Sequence, residues 1–210
     1  MARRADHTRE ELADLVVQAA EGLARKEGLR GVAMRRIAMT IGYAPGSIYN
    51  AVGDLDEVIL RVNARTLGRL HDHLAGVVDR SRNPLENALA VSDRYLDFVL
   101  DQPRLWGLIF EHVLPTGRAL PPWYEAALAQ VIGFVDDLLE PLIPDEEDRR
   151  RSVATLWASL HGLASLAISG KLAVLNKDDP HQMARLLVRR YLGEASHTVQ
   201  AAGELGGDLS

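Results

Sequence analysis

Arg35 and Arg36 open a run, AMRRIAMTIGYAPGSIYNAV over residues 33–52, that brings cationic, hydroxyl and amide side chains together at helical spacing. Guanidinium groups suit phosphate oxygens, and Ser and Asn side chains can hydrogen-bond base edges, so the chemistry on offer is recognition of nucleic acid. Met34, Ile37, Ala38 and Ile41 fall on one face of a short helix. Gly42 then permits the tight turn, with φ > 0, that a helix-turn-helix needs. Pro45 stands where a first helical residue tolerates a missing N–H, so a second short helix is predicted to begin near Ala44. Ile48 faces its core, leaving Ala44, Pro45, Gly46, Ser47, Tyr49 and Asn50 outside. In such a unit the second helix enters the major groove and the first crosses the backbone, which places Arg35 and Arg36 for phosphates.

Other groups that could do chemistry lead less far. The chain has no cysteine, which removes thiolate chemistry and disulfides and fits a reducing, cytoplasmic compartment. His71-Asp72-His73 resembles a metal site on paper, but residues i and i+2 of a helix point apart by roughly 200°, so the two imidazoles do not share an ion. There is no paired His/carboxylate motif, Gly-rich phosphate loop or nucleophile elbow, so an enzyme is not expected and no cofactor is called for. Trp157 and His161 share a helix face, and Trp106, Phe110, Trp123, Tyr124 and Phe134 hold five of the eleven aromatics on nearby helices. Two readings stay open. The cluster is plain core, or Trp106, Phe110, Tyr124, Leu128, Trp157 and His161 line a pocket for a neutral, mainly apolar molecule. The candidate lining carries no Lys or Arg to receive a strong anion, whose desolvation there would go unpaired.

The elements that must position these groups read as helices throughout. Leu12, Leu15, Val16, Ala19 and Leu23 repeat at i, i+3, i+4, i+7, behind a capping box at Thr8–Glu11 and before a stop at Gly28. Asp54 opens a long helix, and Asn83-Pro84-Leu85-Glu86 opens another that runs until Pro103. A short helix near 105–112, a loop from Pro115 to Pro122, a helix through Tyr124 and Leu142, an apolar helix after Asp145 and a last one after Pro180 follow. The stretch 152–170 has no formal charge, yet its serines, Thr155 and His161 would be costly in hydrocarbon, so it is read as a buried helix and no membrane is expected. Residues 1–15 are charged throughout, unlike a secretory signal. The fold class is all-α, about nine helices, with a three-helix DNA-binding domain at 8–68, a ligand-binding and dimerisation bundle at 69–200, and a loose tail at 201–210.

Over roughly residues 8–68 this pattern resembles the TetR family of bacterial regulators: Ile37-Ala38, Gly42, the run from Ala44 to Tyr49, and the acidic cap of the long helix agree in order and spacing. The resemblance implies a homodimer that holds two reading helices on a pseudo-palindromic double-stranded operator and releases it on binding a small-molecule effector. It also implies that Tyr49 contacts a phosphate. The chain departs from the family at Ala51-Val52, where members continue with His/Tyr-Phe, and at Leu55, where a phosphate-binding Lys is usual. Leu55, with the small basic excess, makes a helical small-molecule receptor or interaction protein that no longer binds DNA the second reading. Trp157, His161 and Gly162, with residues 102–112 and 121–124, are similar to a Trp-His-Gly subgroup of C-terminal domains. Charge agrees with a split role. Residues 1–50 carry an excess of two positive charges within a chain of net −5, so the rest stands at −7. The last two helices, near 154–168 and 183–197, are expected to form the dimer interface, since Ala158, Gly162 and Ser165 let axes approach closely.

Overall fold

The computed structural model describes residues 7–175 and 177–206, with side chains described as far as residue 193. Among them there is no strand. Ten helices follow in order: α1 (Arg9–Glu27), α2 (Met34–Ile41), α3 (Pro45–Val52), α4 (Leu55–Ala75), α5 (Pro84–Asp101), α6 (Pro103–Glu111), α7 (Pro122–Leu139), α8 (Glu146–Ile168), α9 (Leu172–Leu175) and α10 (Pro180–Gly206). The all-α expectation holds, with the four-residue α9 and a single 3₁₀ turn at Gly28–Gly31 as the additions.

Local chemistry sets the ends. Thr8 Oγ1 accepts from the Glu11 amide at 3.2 Å while the Thr8 amide donates to Glu11 Oε2 at 2.7 Å, closing the capping box and holding the Glu11 carboxyl below its ordinary range. Asn83 Oδ1 accepts from the Glu86 amide at 2.8 Å ahead of Pro84, and Asp145 Oδ1 from Asp148 at 2.9 Å. Helix α10 continues to Gly206, into the stretch expected as a tail, and residues 207–210 lie outside the described residues. No described helix is long and apolar enough to cross a membrane.

By packing, the chain divides into two compact units that do not follow sequence order. The first holds the residues up to Gly68 together with Gln102–Leu128. Its core joins Val16, Ala20 and Ala24 of α1, Ile37 of α2, Ile48 of α3, and Val58 and Val62 of α4, and it is completed by Leu105 and Leu108 of α6, all without exposed surface. The second holds Arg69–Asp101 and the residues from Ala129 onward. There Leu139, Leu156, Val188 and Leu192 pack with Ala88 and Leu89. Arg149, nearly buried, secures the turn between α7 and α8: its Nε donates to Asp136 at 2.8 Å and its Nη1 to the Ile143 and Pro144 carbonyls at 3.1 Å. Helix α10 is tied to α5 by the bidentate Arg185–Asp93 pair and by His181 against Asp97 at 2.9 Å. His71 and His73 turn their rings to different partners, Phe134 and Phe98.

Candidate nucleic-acid interface and effector cavity

The helix-turn-helix is built as its residue types require. Gly42 ends α2 at φ +73°, ψ +25°, a left-handed conformation favoured by glycine, and its amide donates to Ala38 O. Ala44 is extended, Pro45 takes the first helical position, and the Ser47 amide donates to Ala44 O at 3.0 Å. Ile48 and Val52 then point into the core, so Val52 fills the inward position as a smaller residue. That geometry turns the other side of α3 outward. Ala44, Pro45, Gly46 and Asn50 are exposed, Tyr49 is 51% exposed, and Ser47 is half-buried. The polar atoms of Ser47, Tyr49 and Asn50 side chains have no hydrogen-bond partner among the described residues, so they are available to a ligand surface.

The two arginines of α2 differ. Arg35 is exposed. Arg36 is engaged: its two Nη atoms donate to the two carboxylate oxygens of Glu27 at 2.6 Å each. These two hydrogen bonds, donated by Arg36 and accepted by Glu27, lower the Glu27 carboxyl and raise the guanidinium, so each stays charged. Leu55, at the position of the family lysine, packs against the core and leaves the start of α4 without a cation of its own. One contact had no signal in the spacing: His7 Nδ1 lies 2.7 Å from Tyr43 Oη and ties the chain ahead of α1 to the turn.

The six residues named as a possible pocket divide between the two units. Trp106, Phe110, Tyr124 and Leu128 belong to the first unit, Trp157 and His161 to the second. Trp106 is 1% exposed and meets Phe110 edge to face at 5.5 Å. Burial raises the Tyr124 hydroxyl, whose partner is Asn63. A cavity lies wholly within the second unit and offers a water-sized sphere about 70 Å³. Leu70 and Leu74 of α4, Ser92 and Tyr95 of α5, Val135 of α7 and Trp157 of α8 are among its walls. Only Trp157 comes from the expected set. Aliphatic residues make most of the lining, and aromatic composition could not point to them.

Two hydroxyls relieve that apolar lining. Ser92 Oγ is engaged, donating to Leu89 O at 2.8 Å. Tyr95 Oη lies 3.4 Å from His161 Nδ1, one turn beyond Trp157, and His161 Nε2 lies 3.4 Å from Ser165 Oγ. Burial lowers the His161 pKa, so the imidazole is neutral at neutral pH. A volume this size exceeds what one water needs, but water would find few polar partners in it, so the space suits an apolar group.

An all-helical chain with an outward-facing second helix of a helix-turn-helix defines the class of DNA-reading regulators. The family described as "Tetracyclin repressor-like, C-terminal domain" matches residues 88–191, and the chain belongs to the TetR family of transcriptional regulators. It is 23% identical over 209 residues to an HTH-type transcriptional regulator of Mycobacterium tuberculosis, covering 82% of this chain and 87% of that one. It is 27% identical over 89 residues to the uncharacterised HTH-type transcriptional regulator YobS of Bacillus subtilis, a match spanning 42% of this chain and 46%, less than half, of that relative. A Rhodococcus sp. RHA1 protein of unknown function shares the fold, with a TM-score of 0.74 at 17% identity, over 92% of this chain and 98% of that one.

Proposed function

We propose that the chain is a repressor, a cytoplasmic homodimer that holds a pseudo-palindromic operator and leaves it when a small, mainly apolar molecule binds. The observation that carries this reading is the outer face of α3, where Ser47, Tyr49 and Asn50 present unengaged polar groups, together with the exposed Arg35 of α2. Asn50 and Ser47 read base edges, Tyr49 and Arg35 hold phosphates, and Ala44, Pro45 and Gly46 allow close approach to the backbone. The functional division is a DNA-binding domain at 8–68 and an effector and dimerisation domain at 69–200.

The cavity supports the effector half of the proposal. Its walls include Trp157, with His161 reached through Tyr95, and its apolar lining favours a neutral molecule bearing at most one polar group. Helix α4 supplies the link: it follows α3 after two residues, and Leu70 and Leu74 near its end are cavity walls. An occupant that moves those leucines biases the start of the same helix. A coupling of about 1–3 kcal/mol would be sufficient, as is typical of allosteric proteins. Dimerisation uses α8 and α10, where Ala154, Ala158, Gly162 and Ser165 are exposed on α8 and Leu186 on α10.

Selection of bound duplexes from a random pool tests the reading. The wild-type chain should enrich a two-fold symmetric sequence with half-sites one helical turn, about 10 base pairs, apart. Asn50→Ala should change the base preferred at one position of each half-site, at roughly 1–3 kcal/mol of discrimination. Failure to enrich any sequence would favour a receptor without DNA.

A further inference from the structure

The joint between α3 and α4 is two residues long, Gly53 and Asp54, and leads into an acidic helix start. The Gly53 amide donates to Tyr49 O at 2.9 Å with φ +81°, and Asp54 caps α4 by accepting from the Glu57 amide at 2.9 Å. Asp54, Asp56 and Glu57 crowd one helix start, and the inward Leu55 does nothing to balance them. Their cations come from elsewhere. Arg61, one turn on, takes Glu57 at 2.9 Å and lies 5.6 Å from the Trp123 ring centre.

Arg118 reaches the joint from the segment between α6 and α7. Its Nη1 donates to Asp54 Oδ2 at 2.7 Å and to Asp56 Oδ2 at 2.9 Å, and its Nη2 to Asp54 Oδ1 at 3.2 Å. The remaining Asp56 oxygen lies 2.9 Å from Nε2 of His112, whose side chain is 8% exposed. The segment is itself shaped for this: the Arg118 amide donates to Pro115 O across a turn in which Gly117 sits at φ +85°. Hydrogen bonds from Arg118 hold the Asp54 carboxyl below its ordinary range, so the clasp stays ionised.

We propose that Arg118, seconded by His112, is a positioning residue for the reading helix. It fixes the angle at which α3 leaves α4 by clamping Asp54 and Asp56, in place of a phosphate contact at the start of α4. This rests on the reading of α3 as the DNA-contacting helix. A planar guanidinium can bridge two carboxylates with fixed direction, which a lysine at the same place would not do. A residue that sets the angle of α3 matters where α3 must meet particular bases and matters little on arbitrary DNA.

The test compares the full-length chain with Arg118→Gln and Asp56→Asn on two probes, a duplex selected from a random pool by the wild type and a random-sequence duplex. Each variant should lose roughly five- to tenfold affinity for the selected duplex, the scale of a half-exposed charge-assisted clasp. Binding to the random duplex and the salt slope should not change. The double variant should be no weaker than Arg118→Gln, since both remove the same clasp. Amide exchange over residues 53–57, read without DNA, should speed up in both variants, and Arg118→Lys should recover only part of it. Equal loss on both duplexes with a salt slope lower by about one charge would make Arg118 a phosphate contact and overturn the proposal. Unchanged affinity or unchanged exchange would overturn it as well. If the wild type selects no duplex, the DNA reading itself fails, while exchange still reports on the clasp.

Discussion

Neighbouring arginines on α2 have different fates, and the difference can be measured. Arg35 is exposed, so Arg35→Ala should weaken every duplex alike and lower the slope of log affinity against log salt by about one. The charge of Arg36 is already met by Glu27, so Arg36→Ala should change that slope much less than Arg35→Ala does. Titrations at three or four salt concentrations separate the two, and equal slope changes would show that the Glu27 pair opens on DNA. The outward set on α3 was legible in the sequence because Ile48 and Val52, four apart, fix which side of a helix is buried. The engagement of Arg36 was not, since Glu27 lies nine residues back, across a 3₁₀ turn that no periodicity marks. For the same reason Arg118 was invisible: its partners lie more than sixty residues away in sequence.

Helix starts were legible because their chemistry is local: Thr8 with Glu11, Asn83 before Pro84, Asp145 before α8. The cavity was not, because empty volume depends on how five helices are set and not on any residue type. Ala88 is one of its small wall residues. Ala88→Leu should therefore leave the unfolding midpoint close to wild type, while a small hydrocarbon such as toluene should raise the wild-type midpoint and not the variant's. If the space is not usable, the same change should destabilise by typically 1–3 kcal/mol through overpacking. The start of α10 carries a pH signature. Partial burial opposes the charge on His181, but Asp179 and Asp97, at 3.0 and 2.9 Å, outweigh it and raise the pKa. A raised histidine stabilises fully below its unfolded value and loses that contribution as pH climbs through the folded one. His181→Gln should lower the unfolding midpoint slightly at about pH 5.5 and leave it nearly unchanged at about pH 8.5.

At the scale of the whole molecule, assembly and packing make separate demands. A Cβ on Gly162 would meet no atom within 4 Å in the single chain, so Gly162→Leu should fold and yet block close approach of a second α8. Light scattering at micromolar concentration should then give a monomer for the variant and a dimer for the wild type, and a dimeric variant would move the interface off this face. Composition and periodicity carried the class of fold, but they could not reveal that the first compact unit is discontinuous, because packing between 8–68 and 102–128 leaves no trace in either stretch alone. Leu105 and Leu108 lie fully buried with the N-terminal helices, and each such side chain contributes about 1.5–3 kcal/mol. The order of synthesis then acquires a meaning. When Gly68 leaves the ribosome the reading head still lacks part of its own interior, and residues 69–101 must emerge before the missing leucines arrive. At roughly 5–20 residues per second, the sixty or so residues to Leu128 take roughly 3–12 s to make. During that interval the nascent head has an unfinished apolar core, a window in which a chaperone or a protease can reach it before any operator does.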